Sequence, residues 1–250
     1  PKIDFAVDKI DAVNTFLRQR TDEQVPFDET VETLKNFAEI NQSLVIETGD
    51  VIKTVSEQTN VLAKAKLGQS FPQDFAIYDL NKFLGVLSLF AEPQFDFSEK
   101  SIKIQSSVDA NNFVAGDSVA EYQFANMSLF ENERKILAKD INLPSEDAVF
   151  RLEEKYFISI MRAAAVMSLP EIAVVANEGK LKIQAIDAKT SVDSYAVELG
   201  VSTSNFKMIF KIENLKLMRG SYDVKISNKG LGYFKNTDRE LEYWIATETT

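Results

Sequence analysis

A pattern of elements recurs along this chain at a fixed separation, and it constrains the fold more than any single residue does. The turn glycines Gly49 and Gly179 stand 130 residues apart. Around the first, the order reads helix Glu29–Asn41, strand Leu44–Glu47, strand Val51–Val55, turn Gln58–Asn60 and strand Val61–Leu67. Around the second it reads helix Glu154–Ser168, strand Glu171–Ala176, strand Lys180–Ile186, a turn near Ala188–Ser191 and strand Tyr195–Leu199. The following parts match as well. Phe75–Tyr78, a helix over 80–90 and strands to Tyr122 parallel Phe206–Lys211, a helix over 212–219 and strands to Glu248. Copies of one supersecondary unit produce such self-similarity. The order predicts two similar α+β domains, each a set of strands with two helices on one face.

Composition removes whole classes of chemistry. The 250 residues include no Cys and no His, which excludes disulfides, thiolate metal sites, thiol nucleophiles and the usual general base. Hydrophobic residues make up 45%, enough for packed cores, but the longest apolar runs are far too short to span a bilayer. No leader opens the chain, so secretion is not expected. No Walker loop or GxGxxG cradles a nucleotide phosphate, and Asp140–Asp147 lacks calcium-loop spacing, so no cofactor is expected. The net charge of −10 taken alone argues against nucleic-acid binding. A duplex, however, responds to the local field where it lies rather than to the sum.

The stretch Phe75–Phe90, FAIYDLNKFLGVLSLF, shows the local logic. An extended run ends at Asp79, whose carboxylate is placed to cap the helix that follows. Leu80, Phe83, Leu84, Leu87 and Phe90 make the buried stripe, while Asn81, Gly85 and Ser88, with Lys82 beside them, form a small polar face without an acid. The other helices carry a similar bias. In the first, Val31, Leu34, Phe37 and Ile40 are the expected core and Lys35 lies off it. In the third, Phe157, Ile158, Met161 and Ala165 are the expected core, with Lys155, Ser159 and Arg162 as a polar stripe. In the fourth, Lys211, Lys216 and Arg219 sit among Ile212, Leu215 and Met218. For any one helix a solvated face explains this, and Glu32, Glu39, Glu154 and Glu213 dilute the sorting. The recurrence on four helices of an acidic protein points to a basic working surface.

YDLN in that stretch, TLKNFAEIN over Thr33–Asn41 and NLKLMRGSY over Asn214–Tyr222 resemble the helices of T-even-type bacteriophage sliding clamps, the processivity factors of phage DNA polymerases. These belong to the superfamily of the eukaryotic proliferating cell nuclear antigen. The resemblance covers roughly residues 28 to 250. It implies a DNA-clamp fold of class α+β, with antiparallel sheets outside and two helices per domain on the inner face. The expected organisation is clamp domains 27–125 and 147–250 joined by a connector, 126–146. The family forms homotrimeric rings around double-stranded DNA, read without sequence preference, in the cytoplasm of the infected bacterial host. By position, Lys35, Lys82, Lys155, Arg162, Lys216 and Arg219 become the DNA-facing cations.

The resemblance also implies a pocket near the connector that takes hydrophobic tails of DNA polymerase, clamp loader and late-transcription partners. Leu129, Phe130, Ile136 and Leu137 are its candidate lining, with Tyr243, Trp244 and Ile245 as weaker candidates. Trp244 reads better as a core residue of the last strand, and the connector's apolar pairs at least in part as pins to the domains. Residues 1–26 lie outside the resemblance. Ile10, Val13, Phe16 and Leu17 give them an amphipathic helical pattern that fits an extension, a trimmed remnant or a fused clamp-binding peptide alike.

Two rival readings remain. A carboxylate-based hydrolase has acids enough, but none stands in a distinctive loop, and Glu131–Glu133 reads as solvated surface. A structural protein of a virion fits two related acidic domains, yet leaves the basic helix faces unexplained.

Overall fold

The computed structural model describes residues 27–90, 93–106, 118–190, 193–202 and 205–248; the helix expected within 1–26 lies outside them. The chain divides into two compact units. One comprises the residues up to Thr54 and Lys66–Ala138, the other Val55–Ala65 and the residues from Lys139 onward.

The first unit contains α1 (Phe27–Ile40), β1 (Leu44–Ile46), β2 (Gly49–Val55), the end of β3 (Val61–Phe71), β4 (Phe75–Ile77), α2 (Leu80–Leu87), β5 (Gln94–Phe97), β6 (Ser101–Ser106), β7 (Ser118–Gln123), a 3-10 turn over Met127–Phe130 and α3 (Glu131–Leu137). β1 pairs antiparallel with β4, and β5, β6 and β7 form a meander. β6 alternates: Ile102 and Ile104 point inward, Lys103 and Gln105 outward. Phe75 lies among Phe71, Phe97 and Phe124, with ring centroids 5.6, 5.7 and 4.6 Å away. The two helices touch. α2 is fixed to β7 by the Phe83–Tyr122 edge contact at 5.1 Å and by the Tyr122 hydroxyl, which donates to the Asp79 carbonyl at 3.1 Å.

The second unit holds β8 (Ala148–Leu152), α4 (Glu154–Met167), β9 (Glu171–Asn177), β10 (Lys180–Ile186), β11 (Ser194–Val201), β12 (Phe206–Lys211), a 3-10 turn over Ile212–Asn214, β13 (Tyr222–Ser227), β14 (Leu231–Asn236) and β15 (Leu241–Ala246). One sheet has the order β11-β10-β9-β12 and carries α4 over β10 and β11. In the other, β15, β14, β13 and β8 lie side by side, and the start of β3 adds to β15 with Val61 opposite Ile245 and Ala65 opposite Leu241. The turn expected at Gly179 is a two-residue hairpin between β9 and β10, in which Glu178 and Gly179 both have positive φ, 53° and 78°.

The repeat extends to the way each unit finishes. After β7 the Ala125 N–H donates to the carbonyl of Ala76 in β4 at 2.8 Å. After β15 the Glu248 N–H donates to the carbonyl of Ile209 in β12, also at 2.8 Å. In both units the residues after the last strand cover an edge that would otherwise stand open.

Several local expectations are corrected. The helix predicted over 212–219 is only the 3-10 turn Ile212–Asn214. Tertiary partners take polar groups of this segment, the backbone of Met218 among them. The Asn214 side chain accepts from Asn60, the Met218 N–H donates to the Tyr243 hydroxyl, and the Met218 carbonyl accepts from the Tyr222 hydroxyl. The buried stripe of α4 is Phe157, Ile160 and Ala164, whereas Ile158 and Ala165 are exposed and Met161 half-buried. In α1 the buried stripe is Thr30, Thr33, Leu34 and Phe37, with Val31 and Ile40 at its margins. Tyr243 and Ile245 are fully buried, so the alternation of β15 turns Trp244 to the opposite face, half-exposed beside Tyr233.

Candidate nucleic-acid interface

The α2 surface is built as the sequence implied. The Asp79 carboxylate accepts from the Lys82 N–H at 2.8 Å, the cap that starts the helix. That bond fixes the Lys82 backbone and leaves its side chain exposed, next to exposed Asn81, Gly85 and Ser88. Ser88 donates back to the Gly85 carbonyl at 2.7 Å, so its hydroxyl closes the helix end. Small side chains on this face let a bulky partner approach the helix closely. On α1, in contact with α2, Lys35 is exposed, but exposed Glu32 and Glu39 flank it at i−3 and i+4. α1 therefore contributes less positive field than Lys35 alone suggests.

α4 has the clearest polarity. Lys155 and Arg162 lie seven residues apart, opposite the buried Phe157, Ile160 and Ala164, and both are exposed. Ser159 is drawn toward β11, where its hydroxyl meets that of Tyr195 at 2.9 Å. Val166, 80% exposed, lies on the basic face one turn beyond Arg162. The Lys155 ammonium is engaged: it sits 2.7 Å from the Glu153 carboxylate and 4.6 Å from the centre of the Tyr156 ring. Its pKa is raised, first by the hydrogen bond to Glu153.

Lys216 and Arg219 do not stand on a helix. They follow the 3-10 turn, Lys216 half-buried and Arg219 exposed before Gly220, whose φ is +138°. Lys211 ends β12 and pairs with Glu248 at 3.4 Å. The structure thus brings Lys155 and Arg162 onto one helix face and puts Lys35 and Lys82 on two touching helices. It does not gather Lys216 and Arg219 into an equivalent stripe.

The residues expected to take partner tails divide. Phe130 is buried against Val45 and Ala76, and Leu137 is buried too, so both are pins. Leu129 is 67% exposed and Ile136 half-buried, so these two are the accessible members of the set. Polar ties hold α3 in place. Arg134 reaches Glu47 at 3.7 Å and Asp74 at 3.9 Å, and the Lys53 ammonium donates to the Leu137 carbonyl at 3.0 Å. Asp74 accepts both the N–H and the hydroxyl of Thr48, which hold its carboxyl below the usual range. Glu133 corrects the solvated reading of Glu131–Glu133. Burial pushes its carboxyl up to about 7, and one of its oxygens has no partner. Phe130 and Leu137 are one heptad apart, so a helical reading of the connector would have placed Glu133 beside the buried stripe.

Among the described residues no group of three or more Asp or Glu side chains is arranged to hold a metal ion, and no helix is long and apolar enough to cross a membrane.

A family model described as DNA polymerase processivity factor matches residues 28–134, and one described as gp45 sliding clamp, C terminal, matches 149–249. The sliding clamp of Vibrio phage KVP40 is 32% identical over 227 residues, covering 88% of this chain and 96% of that protein. The sliding clamp of Enterobacteria phage T4 is 28% identical over 232 residues, covering 88% and 95%. The crystal structure of PCNA from Thermococcus kodakaraensis shares the fold, with a TM-score of 0.62 at 13% identity, covering 90% of this chain and 98% of that one. A further model, T3SS EscN ATPase C-terminal domain, matches residues 1–36 and so overlaps the processivity-factor match within α1. No Walker loop accompanies that match anywhere in the chain.

Proposed function

Since this chain belongs to the phage sliding-clamp family, we propose that it holds DNA polymerase on double-stranded DNA as a closed homotrimeric ring, with the exposed faces of α1, α2 and α4 turned to the duplex. Residues 27–125 and 147–250 are the two clamp domains, and 126–146 connects them. The observation that carries the DNA-facing assignment is the α4 surface, where Lys155 and Arg162 stand opposite the buried stripe. In the first unit Lys82 is assigned the same role, with Lys35 a weaker contributor. Lys216 and Arg219 are retained as outlying contacts. Phosphate contacts of this kind orient a protein without reading sequence. Enclosure supplies the persistence, so long, hydrated side chains are free to exchange phosphates as the ring moves. The net charge of −10 disfavours binding elsewhere on the surface.

Ring closure requires heterologous contacts that close by rotation. β7 and β11 are edges of their sheets, and both present exposed apolar residues, Val119 on one and Val201 on the other. Within the chain the last strand of one repeat, β15, pairs with β3. The repeat makes β7 the counterpart of β15 and β11 the counterpart of β3, so β7 of one copy joins β11 of the next. Leu129 and Ile136 receive hydrophobic tails of the polymerase, the clamp loader and late-transcription partners. The chain works non-catalytically, inside the infected bacterium.

The test is retention on DNA topology. Purified protein, opened and loaded by its cognate loader, is placed on closed circular duplex, which is then linearised. A trimeric mass with release on linearisation is the expected result. A monomer, or equal retention on both forms, overturns the reading.

A further inference from the structure

Lys155 stands at the N-terminal end of the basic face, yet its ammonium is already held by Glu153 at 2.7 Å and by the Tyr156 ring at 4.6 Å. Glu153 is the residue that opens α4. Its backbone carbonyl accepts from the Tyr156 and Phe157 N–H groups, but its side chain makes no capping bond. The carboxylate is therefore not needed for the helix start. Both partners are largely exposed, with side-chain exposures of 65% and 48%. An exposed pair of this kind is weak and exchanges readily. Among the described residues no acid pairs with Arg162, whose exposed side chain lies two turns along the same face.

We infer that Glu153 is an attenuator of DNA contact: it competes with the phosphates for the Lys155 ammonium and so lowers the grip of α4 on the duplex. The inference rests on the reading that this face meets DNA. A phosphate that approaches Lys155 must displace the Glu153 carboxylate and also meets its charge. Lys155 thus gains little on binding, and Arg162 carries most of the contact made by this helix. A ring that must travel along DNA is served by this arrangement. Enclosure already prevents loss, so added affinity only slows movement.

The experiment uses the full-length assembled protein and a short linear duplex, with affinity read by fluorescence anisotropy across a salt titration. Glu153→Gln keeps the backbone bonds and the size of the side chain. It is expected to tighten binding up to about fivefold, the most that release of an exposed ion pair supplies. The salt slope is expected to steepen by up to about 0.9 for each Lys155 that gains a phosphate. Glu153→Asp keeps the charge and is expected to bind like the parent. Lys155→Ala is expected to weaken binding less than Arg162→Ala does, and Glu153→Gln combined with Lys155→Ala to return to the Lys155→Ala value. If Glu153→Gln leaves affinity unchanged while Arg162→Ala weakens it, the inference is wrong and the DNA-facing assignment stands. If neither changes affinity, that assignment is itself wrong. If Glu153→Gln tightens binding equally without Lys155, the effect is a general charge effect and the inference is overturned.

Discussion

The Tyr222 hydroxyl donates to the Met218 carbonyl at 2.6 Å, and the Met218 N–H donates to the hydroxyl of Tyr243 at 3.2 Å. Two fully buried tyrosines thereby hold both backbone groups of one residue in a segment the sequence presents as helical. Burial pushes the Tyr222 hydroxyl up to about 12, so it stays a donor throughout the working pH range.

Tyr222→Phe removes one of these bonds and leaves the Met218 carbonyl without its partner. The expected loss of stability is about 1–3 kcal/mol, the range for an unsatisfied buried group. Denaturant unfolding measures the loss, and faster hydrogen exchange confined to 215–219 locates it. An unchanged midpoint would show that the carbonyl finds water instead.

Gly232 leaves room for an aromatic ring. A Cβ there would lie 2.7 Å from Cζ and 2.8 Å from Cε1 of Phe210. Gly232→Ala is expected to cost roughly 1–3 kcal/mol through overpacking. Combining it with Phe210→Leu should cost less than the sum of the two single changes. Strict additivity in thermal unfolding would argue against the clash.

Asp79→Ala takes away the cap of α2 and is expected to destabilise by about 1 kcal/mol, whereas Asp79→Asn, which still accepts from the Lys82 N–H, should be nearly neutral. Equal losses from both, measured by the same unfolding assay, would show that charge rather than capping matters here.

The connector predicts a contrast between adjacent residues. Leu129→Glu alters an exposed side chain and should leave stability unchanged while weakening capture of hydrophobic partner tails. Phe130→Ala empties a buried site and should cost about 3 kcal/mol or more. Calorimetry, together with binding of a polymerase C-terminal peptide, separates the two.

Glu133 gives the protein a pH dependence near neutrality. Its folded pKa is raised to about 7 from an ordinary value of 4.5, with burial as the cause. The folded state therefore favours the protonated acid. That contribution is complete below the unfolded value and is lost as pH rises through about 7. Glu133→Gln mimics the protonated form and should flatten the fall in unfolding midpoint between about pH 5 and pH 8. A slope identical to the parent's would assign the dependence elsewhere.

Features decided locally were legible in the sequence. The α2 stripe and its Asp79 cap depend on neighbours within one helix, and both stand as read. The 212–219 segment was not legible, because hydroxyls of Tyr222 and Tyr243 compete for its backbone and no local pattern announces them. The α4 stripe was read in the wrong phase, since Ala163, Ala164 and Ala165 give little contrast between faces. Trp244 had a usable signal: Glu242, two residues earlier, marks the face turned from the core. For the candidate site, helical spacing correctly put Lys155 and Arg162 on one exposed face of α4. The hold of Glu153 on Lys155 was not, because Glu153 lies before the helix, where that spacing no longer applies.

The covered edge of β12 has a practical consequence. Glu248 N–H bonded to the Ile209 carbonyl makes the final described residues a guard on an otherwise adhesive strand. A chain shortened after Ala246 would keep every strand and both cores, yet present β12 as a template to other molecules. Its defect would be precipitation that depends on concentration rather than a lower melting temperature, and an assay of stability alone would miss it.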